Sequence, residues 1–382
     1  MVSRKTLFLD TIHVFTLFLL ILSCITAPLS AEELKPVTIK NGELTISVDP
    51  RIELLSVIQS LTDYRGFQGR PVLGKLDFGY KHEIAAVFGK YSGHPAPKKF
   101  HEMSQNGFWY SHPVRAMLHL SNPPALAQDV QFDDFAFMTA GGEENLNVFV
   151  EKVRAFARET NFSEFYNGHI ELYETMLANY RGKMKRAYVD DLEEYYGFAQ
   201  GSYTIILSPL FHPGGFGPTI RRPNGMIDSY YIGGPRQIVD DIPDYGEDKN
   251  MQYLFWHEFS HSFVNHLTDL NIADFREPGI KLYVMPNIEN APNFEGQEDV
   301  MISDWVSEHI VRGVTSRLAY INLGKKTGDE RVAFEIGQGF KYVAEVTACL
   351  EKYEQNRDKY PTLREFYPEI VSVFEELATD NR

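Results

Sequence analysis

His257 and His261 stand four residues apart with Glu258 directly after the first. At that spacing an α-helix brings both imidazoles to one side, where they can grip a single divalent ion. Zinc is the ion this nitrogen pair suits. Glu258 lies about 100° further round the helix, facing the water such an ion carries, and is placed as the general base. The flanks predict an uninterrupted helix, because neither Pro nor Gly occurs between Met251 and Leu267. Phe255, Phe259, Phe263 and Leu267 recur at i+4 as an apolar stripe, and the histidines point away from it. One face packs and the other carries ligands.

A catalytic zinc takes three protein ligands and leaves one position open. The metzincin spacing is excluded, since Val264 and Leu267 occupy the positions where it needs Gly and His. His266, five residues past His261, points away from both histidines on a continuous helix and is a poor ligand. Downstream, Glu298 to Leu318 lacks Pro and carries Ile302, Val306, Ile310, Val314 and Leu318 at i+4, which predicts a second long helix. Glu308 falls off that stripe, between Trp305 and Val311, so its carboxylate enters apolar surroundings that a charge tolerates only when paired or bound to metal. Glu308 is therefore the expected third ligand. Its plainer reading is an i, i+4 ion pair with Arg312, and Asp304 or Asp299 stays open as an alternative ligand. Arg312 and Asp304 are expected to orient the ligands from outside.

His257, Glu258 and His261 with a later helical Glu308 resemble the gluzincin branch of the zincin metallopeptidases. The resemblance implies zinc ligand, general base, zinc ligand and third ligand in that order. Val48 to Leu55, Gly93-His94-Pro95, Pro213-Gly214-Gly215-Phe216-Gly217 and Trp256 to His261 look like an uncharacterised family of exported Bacteroides-type proteins. That similarity spans most of residues 43 to 378 and implies zincin-like peptidases; outside the zinc motif it marks kinship rather than activity. It also implies that Met226 to Ile232, or its neighbour, is an edge strand that pairs with extended substrate. A covered structural hairpin is the alternative reading of that strand.

The chain has 382 residues and a formal net charge of −15. Spread without any long acidic run, this negative balance argues against a nucleic-acid partner. Met1 to Ala31 combines Arg4 and Lys5, the apolar run Ile12 to Ile25 and an ending in Leu29-Ser30-Ala31 before acidic Glu32-Glu33, which reads as an export signal. The run is too short for a transmembrane helix, which needs ~20 apolar residues. Ile21-Leu22-Ser23-Cys24 partly resembles a lipoprotein cleavage box, so membrane attachment through a lipidated Cys24 stands beside simple secretion to the periplasm, cell surface or medium. Cys24 and Cys349 are the only cysteines, and the exported chain has no internal disulfide to rely on.

Helical periodicity dominates the rest and predicts an α+β, mostly helical fold with a small mixed or antiparallel sheet ahead of the histidine helix. Residues 37 to 48 alternate as one or two strands, and Asp49-Pro50 then opens a helix through Leu61, with Asp49 as N-cap and Pro50 in the first turn. Further helices are expected near 81–91, 110–119, 143–159, 161–186, 330–356 and 362–378, broken by Gly66-Gly69, Gly141-Gly142 and Gly324-Gly328. Strands are expected at Gly201 to Leu207 and Met226 to Ile232. A loose boundary near Ala140-Gly141-Gly142 divides 32–140, a helical portion, from 141–382, the portion with the zinc site. Pro213 to Gly217 lacks the Lys-Ser/Thr of a phosphate loop and is expected to rim the cleft.

His82-Glu83 has Ala86 where a second histidine would be needed and reads as surface helix; His169, His212 and His309 have no partner spacing and read as structural. The leading expectation is an exported zinc-dependent peptidase acting on peptide or protein substrates, with Glu258 as proton carrier. The alternative is a non-catalytic surface module that holds a peptide or glycan on the same scaffold. The oxyanion-stabilising residue and the oligomeric state are not legible in the sequence.

Overall fold

The structure, a computed structural model, describes residues 32–63, 72–285 and 298–380. The expected leader with Cys24 and the Gly66-Gly69 break lie outside the described residues. Alternation over Val37 to Val48 yields strands β1 (Val37–Asn41) and β2 (Leu44–Val48), an antiparallel hairpin turned at Gly42, whose φ of +60° suits a tight two-residue loop. Asp49 then caps α1 (Pro50–Ser60), its carboxylate accepting from the Arg51 N–H at 2.8 Å. Both features match the sequence expectation.

β2 pairs in parallel with β3 (Ser202–Leu207), and β3 in parallel with β6 (Ile227–Gly233). Two short strands, β4 (Gly215–Phe216) and β5 (Thr219–Arg221), lie antiparallel on the far side of β6. The sheet is thus mixed, as expected, but β6 is internal. Of the two possibilities left open for the edge, Met226 to Ile232 or its neighbour, the neighbours β4 and β5 form it.

Because β2 joins β3 across more than a hundred residues, the first and second parts of the chain share one sheet. Residues Glu33–Arg382 group as one compact unit, and Gly141-Gly142 is a turn inside it, between α5 (Asp134–Ala140) and α6 (Glu143–Glu159). The helix expected over 161–186 divides at His169 into α7 (Phe162–Gly168) and α8 (Ile170–Lys183). The one expected over 330–356 breaks around Gly339, with φ of +101°, into α13 (Lys325–Gly337) and α14 (Val343–Gln355). Four helices were not legible: α3 (Pro95–Ser104), α9 (Val189–Tyr196), α11 (Ile272–Gly279) and α5. In α3 the cap is the His94 imidazole, whose Nδ1 accepts from the Ala96 N–H at 3.0 Å, a residue type that rarely signals a helix start.

The site is built on α10 (Asp248–Leu270), which packs against both β6 and α12 (Glu298–Leu323). Phe255, Phe259, Phe263 and Leu267 are all buried. Phe263 stacks on Tyr196 with ring centroids 4.2 Å apart, and the Trp256 indole N–H donates to Asp191 at 2.8 Å. These contacts set the rotation of α10 and so the direction its other face looks. No helix of the described residues is long and apolar enough to cross a membrane.

Candidate metal centre

His257 and His261 emerge from the face of α10 opposite its buried phenylalanines, with ring centroids 5.1 Å apart. From α12, where Ile302, Val306, Ile310, Val314 and Leu318 are buried as the periodicity predicts, Glu308 reaches across to both. Its Oε1 lies 3.5 Å from His261 Nε2 and its Oε2 lies 3.8 Å from His257 Nε2. One donor atom from each of the three residues falls within 4.8 Å of the others. Two donors ~2.1 Å from a common ion at tetrahedral angles sit ~3.4 Å apart, so this set fits a zinc-sized ion. The Glu308 side chain retains 32 % exposure, which leaves the group reachable from solvent.

The electrostatics suit the same use. Burial holds His257 neutral by driving its pKa well below the ordinary value, so its nitrogen is available as a donor. Burial opposes ionisation of Glu308, but the facing histidines and the Arg312 guanidinium outweigh it and draw the carboxyl below its usual range. His261 Nδ1 donates to Asn265 Oδ1 at 3.0 Å, which leaves Nε2 as the lone-pair nitrogen toward Glu308. Arg312 Nε donates to Glu308 Oε2 at 3.0 Å, while its Nη1 meets Glu335 Oε2 at 2.5 Å. Glu335 is fully buried and also pairs with Arg331. Arg312 thus serves both readings made of it: it is the i, i+4 partner of Glu308 and it orients that carboxylate.

Glu258 is only 7 % exposed and points beneath the edge of the sheet. A Cβ placed on Gly215 would lie 2.5 Å from Glu258 Oε1, and one on Gly217 would lie 2.4 Å from the Glu258 carbonyl oxygen. Only glycine lets the strand backbone pass so near. The Gly-rich segment therefore does more than rim a cleft; it lies directly on the acid. Burial first, then the charge of Glu308, pushes the Glu258 carboxyl up to about 8, with Arg312 opposing. Tyr231, buried on β6, shares this corner: the same Cβ on Gly215 would touch its ring at 2.7 Å.

Other residues fall elsewhere. Asp304, one turn before Glu308, makes no hydrogen bond or ion pair to the three donors or Arg312, but burial and then the charge of Glu308 push its carboxyl up to about 7. Asp299 is occupied by Arg276. His266 stays apart from the group, as its spacing predicts. His309 is packed on Trp305 at 4.5 Å and donates to the Trp305 carbonyl, a structural histidine. His82 pairs with Asp77 at the surface, and Glu83 with His169. Asn265, at i+4 from His261, and the Arg331–Glu335 pair, also at i, i+4, were legible in principle as local pairs; the approach of Glu335 to Arg312 and the place of Tyr231 had no local signal.

Fold and site together define a mixed α+β protein whose helical His-Glu-x-x-His pair is completed by a glutamate from the neighbouring helix. The chain belongs to the family described as Domain of unknown function (DUF4932), which it matches over residues 44–373. No curated protein and no solved structure matches the chain.

Proposed function

We propose that this protein is an exported zinc-dependent peptidase, in which His257, His261 and Glu308 hold the ion and Glu258 moves the proton. The observation that carries the reading is the approach of two imidazoles and one carboxylate to within 4.8 Å, with a second, buried carboxylate on the same helix turn. When bound, zinc supplies a Lewis acid for a scissile carbonyl, brings the pKa of a water down toward ~7 and draws the Glu258 carboxyl into its ionised form. Glu258 accepts a proton from the attacking water and returns it to the leaving amine, so the C–N bond breaks with net addition of water. Its place under Gly215 and Gly217 shields it from bulk water.

The open edge supplies a place for the substrate backbone. β4 and β5 meet β6 in one register, interrupted at Gly217-Pro218, where Tyr230 N–H donates to the Pro218 carbonyl. Alternation then turns the N–H and C=O groups of Gly215, Gly217, Thr219 and Arg221 outward. None of these groups makes another backbone hydrogen bond among the described residues outside the sheet. An extended peptide paired there crosses directly above Glu258.

Glu258→Gln is expected to keep about one zinc per chain while losing on the order of 10²–10⁴ in turnover, and His257→Ala to lose both metal and turnover. Metal analysis with chelator-sensitive peptide hydrolysis reads both. Full hydrolysis by the Glu258→Gln protein would refute the assignment, and a metal-free native protein that still binds peptide would favour the non-catalytic module.

A further inference from the structure

Beyond the metal group, the second half of α10 borders a cleft of about 700 Å³ lined by Phe198, Arg221, Met226, His266, Asp269 and Arg364 among others. Its two arginines differ from their neighbours. Arg222 meets Asp129 and Asp228, and Arg317 meets Glu354, as expected of a chain with net charge −15. Arg221 instead donates only a long bond, 3.4 Å, to the Gly225 carbonyl, and Arg364 lies over the Phe198 ring at 5.5 Å. Neither has a carboxylate partner among the described residues. Asp269, the one acid in the lining, accepts from Ser303 at 2.6 Å. Burial and the fields of these two guanidiniums together push the pKa of His266 down to about 4, so both charges converge on the same space.

The cleft is joined to the candidate active site by the two elements already described. His266 follows His261 by five residues, ~7.5 Å along α10. Arg221 follows Gly217 by four residues of the edge strand, ~13 Å. Gly217 lies on Glu258 and Arg221 borders the cleft, so a peptide paired along this edge runs from one to the other.

We infer that the cleft is a carboxylate-binding subsite, in which Arg221 and Arg364 clamp either an acidic side chain three or four residues from the scissile bond or the free C-terminus of the peptide. This rests on the reading of the edge strand as the substrate platform. Planar guanidinium donors match a carboxylate in two-point geometry, and two of them without carboxylate partners, bordering a cleft whose one acid already accepts from Ser303, favour an anion over a neutral side chain.

The test uses the full chain carrying Glu258→Gln and alanine-based octapeptides labelled at the N-terminus with rhodamine. Each peptide carries one Glu or one Gln at successive positions, with the C-terminus free or amidated, and binding is followed by fluorescence anisotropy. One Glu position is expected to bind about tenfold more tightly than its Gln counterpart if a side chain is read, and the free acid about tenfold more tightly than the amide if the terminus is read. Adding Arg221→Gln and Arg364→Gln should abolish the preference. Arg221 is exposed, so Arg221→Gln alone is also made and should reduce the preference to about threefold. Equal binding of acidic and neutral peptides throughout, or a preference that survives in the substituted proteins, would overturn the inference. Lack of zinc or of turnover in the native protein sinks the peptidase reading without altering this comparison.

Discussion

Glu258 and Glu308 are two acids of the same type, close enough to sense each other, that the protein holds in different states. Burial pushes Glu258 up to about 8, whereas Arg312 and the facing imidazoles keep Glu308 ionised. Glu335, fully buried and paired with both Arg312 and Arg331, helps to fix where the Arg312 guanidinium lies. Removing that charge frees Arg312, which also rests on the Phe340 ring at 3.7 Å, to swing away from Glu308. Glu335→Gln is accordingly expected to weaken zinc binding by about 10–100-fold, measured by competition with a chromophoric chelator. Unchanged affinity would mean that Glu335 serves packing alone. His257, Glu258, His261 and the Glu308–Arg312 pair were legible in the sequence because each relation lies within one or two helical turns. Glu335 was not, because its partner Arg312 belongs to another helix.

At the level of strands and helices, the consequential feature is the close passage of β4 over α10. The Gly-rich segment Pro213 to Gly217 was readable as cleft rim, but not as the strand that touches Glu258, since a two-residue strand has no periodicity to detect. Its glycines are required by approach rather than by turn geometry. Gly217→Ala would press a methyl to 2.4 Å from the Glu258 carbonyl oxygen and must displace backbone, at a cost of about 1–3 kcal/mol. We expect a lower thermal midpoint together with reduced turnover. Gly89→Ala, where a Cβ meets nothing within 4 Å and φ is −53°, should leave both unchanged. A Gly217→Ala protein as stable and active as the native one would show that β4 does not sit on the acid. That β4 and β5 rather than β6 form the edge has the same origin: alternation reports a strand, whereas its neighbours in the sheet are set by distant segments.

Across the whole molecule, α1 carries a second buried acid, met by side chains from the helix Gly79–Phe88 and from the residue after β3, that the proposed chemistry does not use. Glu53 accepts from Tyr80 at 2.7 Å and from Ser208 at 2.9 Å, and Tyr80 in turn contacts the Tyr173 hydroxyl at 2.8 Å. Burial pushes its carboxyl up to about 7, against the two hydrogen bonds, from an ordinary value of 4.5. Because the folded value is the higher, the contribution of this group to stability is complete below pH 4.5 and is lost as pH rises through 7. The loss is on the order of 3 kcal/mol over that window. Urea unfolding at successive pH values should show native stability declining from pH 5 to 7 more steeply than that of Glu53→Gln. Parallel pH profiles for the two proteins would place the source of any decline elsewhere, for example at Glu258.

Covalent geometry repeats every few residues, and whatever depends on that repeat could be read before folding: the helix that pairs His257 with His261, the stripe that turns them outward, the Asp49 cap and the α+β class. Which helix supplies the third donor could be narrowed to Glu308 because a charge among apolar positions demands a partner. That the partner is the imidazole pair, that two glycines roof the acid, and that Arg221 and Arg364 share a cleft are matters of packing between segments far apart in the chain. Such contacts follow from how side-chain volumes and buried charges fit together in three dimensions, and no local period encodes them.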